Sequence, residues 1–137
     1  MNRVFIQNYR QHGDDGRDWS YVPAVAGISN TTTAVTIKAA AGALLRNYIT
    51  AIQVSTTAAL AAATVLAIRD GAAGTVLWRL SLPTTINPAG WSFTFPTPLV
   101  GTANTLLEVV TLTANVAGAI SFNVPGYAAR LPCCPIR

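Results

Sequence analysis

The chain is 137 residues long with a formal net charge of +4; only 10% of its residues are charged and 51% are hydrophobic. That length suits one domain with a core of its own and is short for two. A membrane partner is not expected, because no window approaches the ~18 uninterrupted apolar residues of a span and the start lacks the apolar run of an export signal. Nucleic acid is not expected either, because the basic residues form no stripe interleaved with aromatics.

Residues 1–30 read as an N-terminal arm. After a short apolar run, "RVFIQNY", they carry the cluster "HGDDGRD", with the single histidine, His12, and three of the five acids. Neither a helical nor a strand period is sustained there. His12 with Asp14, Asp15 and Asp18 lacks the glycine and terminal glutamate of a calcium loop. The expectation is a polar arm that folds on a partner, with no metal or other cofactor. Trp19, in "GRDWSY", has the size and rigidity of an anchor for a partner's pocket. Arg10, Asp14, Asp15, Arg17, Asp18 and Trp19 are therefore the arm's candidate partner contacts.

From Thr31 the texture changes to β-branched runs punctuated by Gly, Pro and Asn, the pattern of an all-β domain. Strands are predicted at 33–38, 47–55, 64–70, 75–82, 90–95, 105–113 and 117–124. Trp91, Phe93 and Phe95 alternate with Ser92 and Thr94, and Ile120, Phe122 and Val124 alternate with Ser121 and Asn123. In the hairpin "IRDGAAGTVLWRL", Val76, Trp78 and Leu80 oppose Leu77, Arg79 and Ser81. Each pattern implies one buried and one wetter face, as in two packed antiparallel sheets. With a possible N-terminal strand the count suits a jelly-roll-like β-sandwich of about eight strands, residues 31–130. An immunoglobulin-like sandwich would need a Cys…Trp…Cys spacing that the chain lacks. Short helical turns are expected in "AAAGALLR" and "TTAALAAAT". Residues 131–137 form a tail, in which the adjacent Cys133 and Cys134 read as reduced thiols, since vicinal cysteines bridge only with strain.

The inventory for catalysis is nearly empty. There is no G-x-S-x-G elbow, no phosphate-binding loop and no second histidine. Glu108, alone in "TLLEVVTL", reads as half of a cross-strand or interface ion pair. Asp70 and Glu108 are the pair that glycoside cleavage would need, and nothing in the sequence brings them together. The chain is not expected to be an enzyme. Aromatics on a sandwich could instead stack a sugar, with Trp19, Trp78, Trp91, Tyr48 and Tyr127 as candidates; strand alternation places Trp78 and Trp91 in the core.

What stands out is the surface. Between Ala39 and Ala129 the charged residues are Arg46, Arg69, Asp70, Arg79 and Glu108 alone, in a chain with 23 alanines and 17 threonines. So neutral a surface protects poorly against self-association and suits a protein whose surface is covered by partners. Arg69, Arg79 and Glu108 are the candidate contacts on the sandwich itself.

The strings "TTTAVTIKAAAGALLRNYITAIQV", "IRDG…GTVLWR", "FPTPLVGTANTLLEVVTLT" and "FNVPGY" resemble small structural proteins of tailed bacteriophages, in particular the jelly-roll cement (decoration) proteins of the phage head. The resemblance covers Thr31 to Tyr127. It implies a virion protein on the outer capsid surface that binds the major capsid protein, fastens neighbouring subunits and has no catalysis. A homodimer is expected, since isologous dimers are the commonest closed assembly. Similar β domains occur on tail parts, so a tail-associated or receptor-binding module is the alternative.

Overall fold

The computed structural model describes residues 17–23, 33–112 and 119–130. Strands form where β-branched and aromatic residues recur: β1 (Asp18–Tyr21), β2 (Val35–Lys38), β3 (Leu45–Ala58), β4 (Thr64–Asp70), β5 (Thr75–Leu82), β6 (Asn87–Val100), β7 (Leu107–Thr111) and β8 (Ala119–Arg130). They make two four-stranded sheets of order β1-β8-β3-β6 and β2-β7-β4-β5, and every pairing is antiparallel. This is the order of one long hairpin with β4–β5 at its tip and the pairs β3–β6, β2–β7 and β1–β8 behind it. Rolled up, successive pairs fall in opposite sheets, giving the jelly roll.

The inner faces supply the core. Ile49, Ile52, Val54, Ile120, Phe122 and Val124 from the first sheet meet Leu66, Ile68, Leu82, Leu107 and Val109 from the second, all at most 1% exposed. Each such side chain contributes about 1.5–3 kcal/mol on leaving water. Leu60, from the β3–β4 connection, adds a buried plug, its N–H donating to the Thr84 carbonyl at 3.2 Å. Tyr21 stacks on Phe122 at 5.4 Å. On the other side Trp78 of β5 meets Phe93 and Phe95 of β6 edge-on at 5.3 and 6.4 Å, closing the sandwich between its two edge strands.

Proline placement follows the edges. Pro88, Pro96 and Pro98 all lie on β6, an edge strand, where a missing N–H disrupts least. Between Ile49 and Ala51 of β3, the partner strand advances from Leu99 to Thr94, so Pro96 and Pro98 sit in a bulge. Pro125 is on β8, inside the sheet; β3 bulges beside it between Ile49 and Gln53.

Several sequence expectations are corrected here. No helix occurs among the described residues. Within "AAAGALLR", Leu44 takes a φ of 68°, incompatible with a right-handed helix, and the chain runs straight into β3. "TTAALAAAT" is the end of β3, a connection pinned by Leu60, and the first residue of β4. In the hairpin, register passes from Ile68↔Trp78 to Arg69↔Val76, so Leu77 is a bulge residue. Leu77 packs against the core and Val76 shares the face of Arg69, reversing the strict alternation at that point. Residues 18–21, read as arm, are an edge strand paired with β8.

Candidate interaction surfaces

The hairpin charges have defined partners within the chain. Arg69 of β4 stands opposite Glu108 of β7 in register. Its Nε donates to Glu108 Oε1 at 2.7 Å, and Nη2 contacts the same oxygen. The N–H of Ala73, in the β4–β5 turn, donates to that oxygen at 2.9 Å. Ala73 itself has a φ of 54°, a left-handed conformation that the Glu108 bond helps to hold. With only 6% of its side chain exposed, Glu108 is a buried carboxylate neutralised from the sequence-distant strand it faces. The cross-strand ion pair expected of Glu108 is thus made with Arg69.

Asp70 points to the other face of the same sheet. It accepts from the Thr102 N–H at 2.9 and 3.0 Å and from the Thr102 Oγ1 at 2.6 Å, fastening the β6–β7 loop. Asp70 and Glu108 are on adjacent register pairs but opposite faces, so the two carboxylates do not share a site. Two further residues hold the loop. Asn47, 1% exposed, donates from Nδ2 to the carbonyls of Ala39 and Thr105 at 3.0 and 3.3 Å, and Arg46 donates from Nη1 to that of Gly101 at 3.3 Å. The string "GTANT" is therefore a fastening device: Thr102 is held by Asp70, and Asn104 takes a φ of 54° with its N–H on the Leu45 carbonyl at 2.9 Å. Sequence reasoning missed Asn47 and Thr102 because their partners are far along the chain. An amide or hydroxyl beside a glycine-containing loop was the only local signal.

The remaining candidates divide. Arg79 is exposed on the outer face of β5, across from Ala67. Asp18 is exposed at the start of β1, and the Arg17 carbonyl accepts from the Ala128 N–H at 3.0 Å. Trp19 is turned inward: its indole packs against the core and over Gly126, where an added Cβ would lie 2.4 Å from the ring and 2.2 Å from the Tyr48 carbonyl oxygen. Only glycine admits so close an approach of strand and ring. Arg10, His12, Asp14, Asp15, Cys133 and Cys134 lie outside the described residues.

The outer face of the first sheet carries a second kind of surface. Tyr48 and Tyr127, register partners on β3 and β8, stack at 4.8 Å and 8°. Burial, and then the neighbouring Tyr48, push the Tyr127 phenol above its ordinary pKa. Beyond them two shallow depressions of about 260 and 240 Å³ adjoin at Gln53 and Asn123, which face each other in register. Ser20 lines one depression, and Ser92 and Ser121 line the other. Among the described residues no charged side chain lines either one. Among the described residues no three His, Cys, Asp or Glu side chains are grouped as a metal site would require, and no helix is long and apolar enough to cross a membrane. No protein-family model matches the chain, and no curated protein matches it in sequence.

Proposed function

We propose that this chain is a structural virion protein, a bacteriophage head cement (decoration) protein. It binds the outer surface of the capsid as a homodimer and fastens neighbouring major capsid subunits. The observation that carries the reading is where the sparse charge goes. Arg69, Glu108, Asp70 and Arg46 are engaged in holding the turn and loop at one end of a rigid sandwich. The outer face of the first sheet is left with uncharged side chains such as Gln53, Ser55, Ser92, Thr94, Ser121 and Asn123, which suit contact with another protein. The resemblance of Thr31–Tyr127 to phage cement proteins supplies the partner. Purified protein should co-sediment with undecorated capsid shells at a saturating, fixed ratio; no co-sedimentation would overturn the reading.

A tail-associated or receptor-binding role is favoured by one feature, the trough around Gln53 and Asn123, where amides and hydroxyls meet apolar Val22, Ala51 and Pro125 beside the tyrosine pair. That reading predicts a trimer by native mass and binding on a glycan array, against a dimer and no glycan signal for the cement reading.

A further inference from the structure

The two depressions on the outer face of the first sheet are built by irregularities in its strands. Where β3 runs from Ile49 to Gln53, β8 runs only from Gly126 to Asn123, so β3 carries an extra residue there. Thr50 Oγ1 donates to the Pro125 carbonyl at 3.3 Å, and Ala51 and Pro125 line the depression of about 260 Å³. On the other side of Gln53, β6 advances from Trp91 to Asn87 while β3 advances only from Val54 to Thr56. Pro88 and Ala89, exposed in this β6 bulge, rim the depression of about 240 Å³. The bulge is fixed at both ends: the Asn87 N–H donates to Thr56 Oγ1 at 2.7 Å, and the Gly90 N–H donates to Asn87 Oδ1 at 3.0 Å. Gly90 has a φ of 77° and passes so close to β3 that an added Cβ would lie 2.3 Å from the Val54 carbonyl oxygen. Bulges of this kind re-aim side chains beside binding sites.

Between the bulges, Gln53 and Asn123 stand opposite each other in register, both exposed, and no hydrogen bond joins them. Ser20, Ser92 and Ser121 line the depressions with them and likewise make no side-chain hydrogen bond among the described residues. The donors and acceptors of the trough are therefore unspent, and they are held on a rigid sheet. Apolar surface flanks them, with Val22 and Pro125 in one depression and Pro88 and Trp91 in the other.

We infer that this trough is a binding site for an uncharged oligosaccharide, with a sugar ring in each depression and the Gln53 and Asn123 carboxamides at the junction. The inference deepens the receptor-binding reading of the same face and rests on it. Hydrogen-bond chemistry selects the ligand. A carboxamide both donates and accepts, and so does every sugar hydroxyl, so two adjacent carboxamides match neighbouring hydroxyls in either direction. A wholly apolar ligand would strip water from these amides and hydroxyls and return no bond. A charged ligand would meet no counter-charge in the lining that the described residues supply. The carbon faces of the sugar rings would lie on the flanking proline, valine and tryptophan. An extended peptide fits less well. The trough is centred on β3 and β8, which are paired on both sides and offer no free backbone for an added strand.

A printed array of neutral and acidic glycans tests this, with wild type run beside Gln53→Ala, Asn123→Ala and the double variant. Thr94→Ala, exposed on β6 and outside both linings, is the control. Both amides are exposed, so the variants should melt like wild type. Wild type should retain neutral oligosaccharides. Each single variant should bind about fivefold more weakly and the double variant about 25-fold, the scale of one and of two lost hydrogen bonds, with Thr94→Ala unchanged. In an NMR titration with the strongest ligand of the array, the side-chain amide signals of Gln53 and Asn123 should move. If wild type binds neutral glycans and the folded variants bind as well as it does, the trough inference falls and the receptor-binding reading stands. If wild type binds no glycan on the array, that reading falls and the site with it. Retention of acidic glycans alone would overturn the uncharged ligand. Loss of co-sedimentation with capsid shells in the double variant, with no glycan retained by wild type, would also overturn the inference, naming a protein surface as the occupant.

Discussion

Replacing Arg69 by Ala should be among the most damaging changes available on the outer half of the sandwich, although Arg69 is a surface-proximal arginine. The Glu108 side chain is 6% exposed and that of Arg69 19%, so the change leaves a buried carboxylate with the Ala73 N–H as its remaining described donor. Breaking a buried pair by removing one partner costs about 3–5 kcal/mol. The partial exposure of Arg69 lets water approach, which places the expectation at the lower end, about 3 kcal/mol. For a chain of this size that corresponds to a fall in Tm of roughly 10 °C. Urea unfolding followed by tryptophan fluorescence would measure it, since Trp78 pairs with Ile68 next to the site. A cycle of Arg69→Ala, Glu108→Gln and the double variant should return a coupling of about 2 kcal/mol. Arg79→Ala, at an exposed position on the same hairpin, should stay within about 0.5 kcal/mol. If Arg69→Ala costs no more than Arg79→Ala, or the coupling is near zero, the charge-burial reasoning is refuted.

Other consequences can be checked with the same purified protein. Gly126→Ala places a methyl 2.2 Å from the Tyr48 carbonyl oxygen and should destabilise by about 2–3 kcal/mol or prevent folding, read by the same urea titration. Asp70→Ala removes the acceptor for the Thr102 N–H and Oγ1; about 1 kcal/mol should be lost, with faster amide exchange at Thr102. The raised pKa of Tyr127 means that the folded protein holds this phenolic proton more tightly than the unfolded chain, whose value is near 10.0. Its contribution is therefore fully present below pH 10 and lost as pH rises beyond it, so Tyr127→Phe should flatten the alkaline fall in stability. Removal of residues 1–20 deletes most of β1 together with Trp19 and should lower Tm by several degrees.

The extent of the hairpin at 64–82 was legible in the sequence, its two strands ending where predicted, because glycines and apolar runs are local signals, but the bulge at Leu77 was not. The long strands were legible only in part. β3, β6 and β8 extend past the predicted 47–55, 90–95 and 117–124, since Pro96, Pro98 and Pro125 look like strand breakers until an edge or a bulge accommodates them. An N-terminal strand was counted, but β1 could not be located because "DWSY" is too short to show a period, and its pairing with β8 joins residues a hundred positions apart. Of the candidate contacts, Glu108 was correctly read as half of an ion pair, but no local pattern could tell that Arg69, 39 residues away, was the other half.

By itself the sequence determined an all-β chain with an apolar inner set and a scarcity of charge. These follow from composition and from a period of two, which the longer strands write locally. Tertiary structure alone decided which strands pair and which charges neutralise each other across the sheet. The physical reason is that rolling a hairpin into two sheets sets side by side residues that the chain keeps far apart, and a charge's meaning depends on the neighbour it meets there.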